Sequence, residues 1–386
     1  MKKVLLKAPL LSQSGYGIHS RLILKSLLSQ PEIFDVYLIN IHWGLTSWIT
    51  EDTNERRTID RLLQKTIEYT QSGGHFDLFL HVTIPNEWET LGAKNIGITA
   101  GIEVAKVPSK WIDDVKRMDK VIAVSEFTKQ AFVNADKSIE NKIDVVGFDV
   151  QDVLEPETLD LELRDNFNFL MIGTFIPRKN IHNSIKWFVE EFHDQKVGLV
   201  IKTSYGKHSL IDRNYCEKML KRVLQEYPER KCNVYLLHGE MTSTEMSSLY
   251  QHKKIKCLVN LGHGEGFGLP IFEAAYHGIP IISTNFGGQN DFINLTSKKG
   301  EKNLYTKVAY DVKPVQREAY WEDVVTKESM WAFPKEWSAK KALRNVKKNY
   351  TGVLSKAKKL QKLVNEKFSS ENVSASYINS ILGKEY

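Results

Sequence analysis

Cysteines, long apolar runs and targeting signals are scarce in this chain of 386 residues. Its three cysteines, Cys216, Cys232 and Cys257, do not follow the paired spacing of a zinc site, and such low cysteine use is typical of a reducing compartment. No apolar run approaches the roughly 18 residues that a membrane-spanning helix needs. The opening Met-Lys-Lys-Val-Leu-Leu-Lys is too poor in apolar residues for a signal peptide. The sequence therefore predicts a cytoplasmic protein without a transmembrane segment.

Motifs for metals and for nicotinamide cofactors are missing as well. No Asp-x-Asp motif follows an apolar strand, which argues against a dedicated metal site. A Gly15-Tyr16-Gly17 turn does follow the first predicted strand, but Ser20 stands where the dinucleotide fingerprint has its third glycine. We therefore predict no metal and no bound cofactor. The turn itself is either a phosphate-binding loop or a plain tight turn.

The length and the order of the predicted elements indicate two domains. A chain of this size is too long for one core, and short apolar strands alternate with helices before the same alternation starts again near Phe167. An acidic, irregular stretch around Pro156 is the predicted linker. We expect two Rossmann-like α/β domains, 1–155 and 156–350, that face each other across a cleft, with C-terminal helices at 351–386 packing back across both.

The most informative segment is the glycine-rich turn at 262–268, which follows an apolar strand at 255–261. Glycines let backbone N–H groups approach an anion closely, and Pro270 stands where a first helical turn would begin. The positive N-terminal end of that helix would attract the same anion. This pattern favours a diphosphate ligand.

Two carboxylates flank this turn, Glu265 within it and Glu273 in the following helix, with seven residues between them. If both face one cleft, two groups that only accept hydrogen bonds suit sugar hydroxyls better than phosphates. A polyol beside a diphosphate is a nucleotide sugar. The alternative is that the acids only complement the helix dipole, with glycines that only shape a turn.

At this point the chain resembles the retaining GT-B glycosyltransferases of family 4, also called glycosyl transferases group 1. The similarity is close over 264–280, including every letter of Glu-Gly-Phe-Gly-Leu-Pro. The resemblance implies the GT-B fold, with Glu265 beside the donor sugar and the reaction centre, and with Glu273 accepting hydrogen bonds from the ribose. It also implies that residues of the turn meet the sugar and diphosphate through backbone amides: Gly266, Phe267, Gly268 and Leu269.

The resemblance assigns further roles upstream of the turn. It implies that Arg178, after a buried strand, and Lys202, at the end of the next strand, neutralise the donor diphosphate as the sugar departs. Both could instead be solvated residues at strand ends. The base is expected to pack where the following strand ends, at His238 and Gly239.

In the first domain, the resemblance places Gly15 and Gly17 over the donor phosphate and makes this domain the acceptor side. Many family members have a histidine that touches the sugar in the segment corresponding to 99–103, whereas this chain has none there. Glu103 is the candidate for that polar role, and a purely structural glutamate is the alternative.

The predicted function is therefore a retaining, metal-independent glycosyltransferase, with a UDP- or GDP-sugar as co-substrate rather than a cofactor. The opening Ala-Pro-Leu-Leu-Ser-Gln-Ser-Gly-Tyr-Gly is similar to members encoded by large DNA bacteriophages, which suggests a hydroxymethylated base in DNA as one acceptor. A glycan, lipid-linked or small-molecule acceptor is the other. A sugar-nucleotide 2-epimerase of the same fold and a non-catalytic nucleotide-sugar-binding scaffold are the alternatives to a transferase.

The net charge of +6 is concentrated near the C-terminus, at 335–362, where Glu336 is the only acid. Four of these basic residues fall on one helical face, which could bind an anionic partner such as DNA or a membrane, or could simply be solvated. Aromatic residues nearby are predicted to pack in the core. The basic face consists of Lys340, Arg344, Lys347 and Lys348. The aromatic residues predicted to pack are Trp331, Trp337 and Phe368.

Overall fold

The computed structural model describes residues 1–297 and 299–383, which form two compact units. Unit 1 comprises Met1–Asp149, Trp321–Ser329 and the chain from Phe368 onward, and unit 2 comprises Val150–Tyr320 and Met330–Lys367. No helix in the described part of the chain is long and apolar enough to cross a membrane.

Unit 1 is built on one sheet of six parallel strands in the order β2-β1-β3-β4-β5-β6. Its central strands are buried along nearly their whole length, as expected for a parallel sheet covered by helices on both faces. The strands are β1 (Lys2–Ala8), β2 (Phe34–Asn40), β3 (Leu78–Val82), β4 (Lys94–Thr99), β5 (Lys120–Ala123) and β6 (Ile143–Val145).

Three of the first four helices of unit 1, α1, α2 and α4, begin at side chains that cap them. Ser14, Thr53 and Ser125 each accept a hydrogen bond from a backbone N–H of the first helical turn. Ser125, for example, caps α4 through the Thr128 N–H. The helices are α1 (Gly15–Leu28), α2 (Asn54–Gln71), α3 (Lys110–Arg117) and α4 (Glu126–Val133).

Unit 2 repeats this architecture with a second six-stranded parallel sheet in the order β12-β11-β10-β7-β8-β9, and adds an antiparallel hairpin, β13 and β14. The predicted α/β class with two Rossmann-like domains is confirmed by these two sheets. The strands are β7 (Asn168–Ile172), β8 (Gly198–Lys202), β9 (Asn233–Leu237), β10 (Ile255–Asn260), β11 (Ile281–Ser283), β12 (Thr306–Lys307), β13 (Tyr310–Pro314) and β14 (Met330–Pro334).

Helices cover the sheet of unit 2, and the last helix of the chain, α12, returns to unit 1. Thr242 and Glu245 form a capping box at the start of α7. The helices are α5 (Ile181–Phe192), α6 (Leu210–Leu224), α7 (Ser243–Gln251), α8 (Leu269–His277), α9 (Asn290–Ile293), α10 (Glu336–Lys348), α11 (Tyr350–Lys367) and α12 (Ser370–Leu382).

Of the three aromatic residues predicted to pack, two do so. Trp331 and Phe368 are buried, but 62% of Trp337 is exposed, so that prediction is wrong for Trp337. The reason is helical geometry: α10 turns Ala339, Leu343 and other small or aliphatic residues toward the core, and Trp337 does not lie on that face.

The basic face of α10 is matched by acids from elsewhere in unit 2. Lys340 Nζ lies 2.6 Å from Glu190, and the guanidinium of Arg344 makes two hydrogen bonds of 2.7 Å with Glu191. Both acids belong to α5, which packs against α10. The predicted excess of positive charge at 335–362 is therefore reduced by internal ion pairs that the local sequence does not reveal.

Candidate active site

The glycine-rich turn connects the carboxyl end of β10 to the start of α8. Asn260, the last residue of the strand, accepts a hydrogen bond of 3.1 Å from the Gly262 N–H and so starts the turn. Gly268 then adopts φ of 91°, a left-handed conformation that favours glycine, and Pro270 lies in the first helical turn as predicted.

Glu265 is the centre of a buried ionic cluster. Both its oxygens contact Lys179 Nζ, at 2.7 and 2.9 Å, and Arg178 lies 3.4 Å from one of them. The Asn260 amide donates a further hydrogen bond of 3.0 Å. Only 5% of Glu265 is exposed. Burial alone would raise its pKa, but the charges of Lys179 and Arg178 outweigh burial and lower the pKa to about 2.

A short turn after β7 holds the two cations in place. Pro177–Lys179 forms one 3₁₀ turn, which ends at Asn180 in a left-handed conformation with φ of 50°. The Asn180 side chain donates to the Leu261 carbonyl at 3.0 Å, and the Arg178 carbonyl accepts the His263 N–H at 2.8 Å. The loops that follow β7 and β10 are therefore joined by backbone and side-chain hydrogen bonds, and this brings Lys179 to Glu265.

The hairpin of unit 2 supports the same turn through His263. The imidazole Nδ1 lies 2.7 Å from the Ala332 carbonyl, and the ring stacks on Trp331 with centroids 5.4 Å apart. Burial lowers the pKa of His263, so the neutral ring is favoured. His263 therefore anchors the turn to β14.

The loop after β11 closes the other side of Glu265. The Gly288 N–H donates to the Glu265 carbonyl at 2.8 Å. A Cβ on Gly287 would lie 2.8 Å from the Glu265 carbonyl oxygen and 2.9 Å from its nitrogen, so only glycine fits here. The backbone of Glu265 is thus packed tightly against 287–288.

Glu273 has a different environment. Its carboxylate accepts a 2.6 Å hydrogen bond from the Tyr250 hydroxyl, and burial raises its pKa to about 7. No contact between Glu273 and the Glu265 cluster is found among the residues that the structure describes. The two carboxylates, predicted together from their spacing, are therefore held by separate sets of partners.

Lys202 also lies outside the Glu265 cluster. It ends β8, and its ammonium donates to the Gly239 carbonyl, so the strand-end cation predicted from the sequence meets the predicted base-binding segment. Burial lowers the pKa of Lys202. The structure therefore places Arg178 with Glu265 and Lys202 with Gly239.

His238 is fixed by Asp212, which lies in the first turn of α6. The His238 Nε2 lies 2.8 Å from Asp212 Oδ1. Cys216 Sγ is 3.7 Å from the same oxygen, so these three residues could in principle hold a metal ion. The carboxylate of Asp212, however, already accepts three backbone N–H groups, and burial raises the pKa of the Cys216 thiol to about 12. A neutral thiol is a poor metal ligand, so this arrangement fits a structural hydrogen-bond cluster better.

Phe267 has a packing role in the turn. Its ring is buried, with centroids 5.1 Å from Phe272 and 5.2 Å from Phe292. This packing fixes the backbone between Gly266 and Leu269, whose amides remain predicted donor contacts.

The residues predicted in the first domain lie in unit 1. Gly15 and Gly17 form the first turn of α1, and Ser14 caps it by accepting the Gly17 N–H at 3.1 Å. A Cβ on Gly17 would collide with the Ser12 carbonyl, so the glycine is required by close backbone packing. Glu103 lies half-buried in the loop after β4. The donor contacts of these three residues stay predictions.

The sequence interpretation missed Lys179 and Asn260. Lys179 directly follows Arg178, and nothing in the local pattern tells which of two adjacent cations turns toward Glu265. Asn260 did carry a signal, since a polar residue at the carboxyl end of a buried parallel strand often faces a ligand site.

Comparisons with known proteins find similarity to glycosyltransferases. The family model described as Glycosyl transferases group 1 matches residues 130–304. The capsular polysaccharide biosynthesis glycosyltransferase CapM of Staphylococcus aureus is 28% identical over 187 residues, which cover 45% of this chain and 45% of CapM. The O-antigen chain mannosyltransferase RfbU of Salmonella typhimurium is 29% identical over 168 residues, 44% of this chain and 42% of RfbU. The chain thus matches less than half the length of these relatives.

Solved structures share the whole fold at low sequence identity. Anabaena HepE in complex with UDP-glucose superposes with a TM-score of 0.64 at 13% identity, covering 99% of this chain and 100% of HepE. A glycosyltransferase from Rickettsia africae gives 0.62 at 16% identity, covering 99% and 98%. The predicted family resemblance is confirmed over residues 130–304, which match the glycosyl transferases group 1 model, and the chain has the α/β fold of GT-B proteins.

Proposed function

We propose that this protein is a glycosyltransferase that moves a sugar from a nucleotide-sugar donor to a hydroxyl acceptor. The observation that carries the proposal is the Glu265 cluster, in which Lys179 and Arg178 meet one carboxylate beside the start of α8. In open α/β sheets, ligands bind at the carboxyl ends of the strands, and this cluster lies at the ends of β7 and β10.

The charge balance of the cluster suits a departing diphosphate. Two cations face a single carboxylate, so one positive charge remains to balance the negative charge that grows on the phosphate as the glycosidic bond breaks. Lys179 thus joins Arg178 and Lys202, the two cations to which the resemblance assigned this role. Lys202, at the end of β8, supplies a third cation on the same edge of the sheet.

The protonation states support a mechanism in which the protein does not supply the base. Glu265 stays ionised because its pKa is held at about 2, so near neutral pH it has no proton to donate and is too weak a base to take one from the acceptor. Its role is to position Lys179 and Arg178 and to stabilise positive charge on the sugar. The acceptor proton then passes to the leaving phosphate, on the same face as the attack, and the anomeric configuration is retained without a metal.

Glu273 is assigned to the donor ribose. A half-buried carboxylate held by one tyrosine keeps acceptor capacity for two neighbouring hydroxyls. Gly239 and His238 are assigned to the base, which we expect to be uracil or guanine. The UDP-glucose complex of HepE supports a UDP-sugar as the first donor to test.

A glycan is the acceptor that the comparisons favour, since CapM and RfbU are described by capsular polysaccharide and O-antigen synthesis. DNA is less favoured, because two residues of the predicted basic face, Lys340 and Arg344, make ion pairs with α5. The protein is expected to work in the cytoplasm, where nucleotide sugars are made.

The test is nucleotide release from UDP-, GDP- and ADP-sugars, with and without a chelator, for the wild type and for Glu265→Ala and Lys179→Ala. Lys186→Ala is the matched control, because Lys186 lies on the outer side of α5 and pairs only loosely, at 4.0 Å, with Glu190. Release from one donor that both site variants lose and the control keeps supports a transferase site. Binding of a donor without release of its nucleotide would indicate a non-catalytic scaffold that binds nucleotide sugars. Release of an isomerised free sugar would indicate an epimerase.

A further inference from the structure

The start of α6 exposes large apolar side chains to solvent. Leu210 and Ile211 are 76% and 83% exposed, and they are joined by Tyr205 and Tyr215, at 49% and 40%. The two tyrosine rings lie 4.6 Å apart. We call these four residues the apolar tip. Single exposed apolar residues are common on protein surfaces, but four within eleven positions form a patch that indicates a binding surface.

The tip is held rigidly in this exposed arrangement. The Asp212 carboxylate accepts the backbone N–H groups of Tyr205, Gly206 and Lys207 at 2.8, 2.7 and 2.9 Å. The Ser209 side chain caps the helix by accepting the Asp212 N–H at 3.2 Å. Because its backbone is fixed in this way, the loop before α6 presents the tip outward without needing to rearrange.

Basic residues surround the tip. Between 207 and 222 the acids are Asp212, which is buried and holds the loop, and Glu217, which lies 3.2 Å from Arg213 and 3.9 Å from Lys221. Three further basic side chains are exposed, and within 1–297 and 299–383 no acid forms an ion pair with them. They are Lys207, Lys218 and Arg222.

We propose that the apolar tip and the basic face of α6 dock onto an anionic lipid bilayer. Aliphatic side chains that enter the boundary between head groups and acyl chains, tyrosines at the interface, and lysine and arginine on anionic head groups are the three features of interfacial binding. All three are present here. The basic segment at 335–362 has Trp337 as its one large exposed apolar side chain among the described residues, so it lacks a comparable aliphatic group. Four of its basic residues pair with acids: Lys335, Lys340, Arg344 and Lys359.

An acidic protein is the other class of partner that a basic surface could bind. It would not account for two adjacent aliphatic residues that are more than three-quarters exposed in a first helical turn. A bilayer accounts for both the charge and the aliphatic residues. The inference does not depend on the donor site, since it uses none of its residues.

The experiment is flotation of the full chain with vesicles of pure phosphatidylcholine or of phosphatidylcholine with about 30 mol% phosphatidylglycerol. The wild type should float with the anionic vesicles only, and should be released at about 0.5 M salt. Leu210→Ser/Ile211→Ser should weaken the binding by about tenfold or more, because two inserted side chains are lost. Trp337→Ser, which also removes an exposed apolar residue, should bind like the wild type.

Charge is tested with a second pair of variants. Lys218→Glu/Arg222→Glu should lose binding, whereas Lys341→Glu/Lys348→Glu, with the same charge change on exposed positions of α10, should keep it. The proposal is overturned if the wild type does not bind anionic vesicles, or if Leu210→Ser/Ile211→Ser binds them as strongly as the wild type does. It is also overturned if sedimentation velocity shows a dimer of the chain that this variant abolishes, since the tip would then bind a second copy.

Discussion

Lys179 Nζ lies within hydrogen-bond distance of both carboxylate oxygens of Glu265, although the two residues are 86 positions apart in the chain. The pair is buried, with side chains 13% and 7% exposed. Each side chain therefore depends on the opposite charge of the other to offset the cost of burying its own charge.

Lys179→Ala should destabilise the protein by about 3 kcal/mol, because it leaves the buried Glu265 with only Arg178 and Asn260 as partners. Glu265→Ala should also destabilise it. The double variant should be clearly less destabilised than the sum of the two, since neither charge is left alone. Guanidinium unfolding measures all four states. Strict additivity would show that the two side chains do not interact.

Glu273 should make stability depend on pH. Burial raises its pKa from 4.5 to about 7, so the folded state binds more protons than the unfolded state between these values. The protonated Glu273 contributes up to about 3 kcal/mol to the free energy of unfolding. This contribution is fully present below the unfolded pKa of 4.5 and is lost as the pH rises through the folded pKa of about 7.

Glu273→Gln should remove this dependence. The melting temperature of the variant, relative to that of the wild type, should therefore rise between about pH 5 and about pH 8. Tyr250→Phe removes the hydrogen bond that lowers the pKa of Glu273, and should move the transition to higher pH. A constant difference between wild type and Glu273→Gln across this range would contradict the raised pKa.

Asp212→Asn should loosen the loop before α6. Burial would raise the pKa of Asp212, but hydrogen bonds from three backbone N–H groups and His238 outweigh burial and lower the pKa to about 2. The stabilisation is therefore present above the unfolded value and lost as pH falls through about 2. Relative to wild type, the variant should lose about 2 kcal/mol at neutral pH and much less near pH 2. Hydrogen exchange at 205–207 should rise only in the variant.

Gly287→Ala should displace the Glu265 loop, because its Cβ would lie 2.8 Å from the Glu265 carbonyl at a φ of +131°. We expect a loss of about 2 kcal/mol in stability and more than tenfold in nucleotide release. Gly300→Ala is the matched control: φ is +78°, but no atom lies within 4 Å of its Cβ. It should cost about 1 kcal/mol and leave release unchanged. Equal effects of the two substitutions would refute the steric argument.

Metal removal should leave nucleotide release intact. The trio Asp212, Cys216 and His238 is explained by hydrogen bonds that Asp212 makes with its neighbours. Cys216→Ala should therefore retain activity, and a chelator should have no effect on either protein. Stoichiometric zinc in the purified wild type, absent from the variant, would assign the trio to a metal instead.

Local patterns were sufficient for most of the secondary structure. The sequence predicts β3 and α2 with the bounds that the structure has, and it predicts the start of α8 from Pro270. These features depend on neighbours within a few residues: apolar runs, caps and turn residues. The exposure of Trp337 was not predictable in the same way, because it depends on which face of α10 packs on unit 2.

The sequence by itself determined the alternation of strands and helices, the glycine-rich turn before α8 and the resemblance to glycosyl transferases group 1, since each of these depends on contiguous residues. Only the tertiary structure decided that Lys179 holds Glu265, that Glu273 bonds to Tyr250, and that acids of α5 pair with two basic residues of α10. These partners come from separate strands and helices. Electrostatic interactions fall with distance in space and not with separation along the chain, so the fold had to bring the charges together before their pairing could be known.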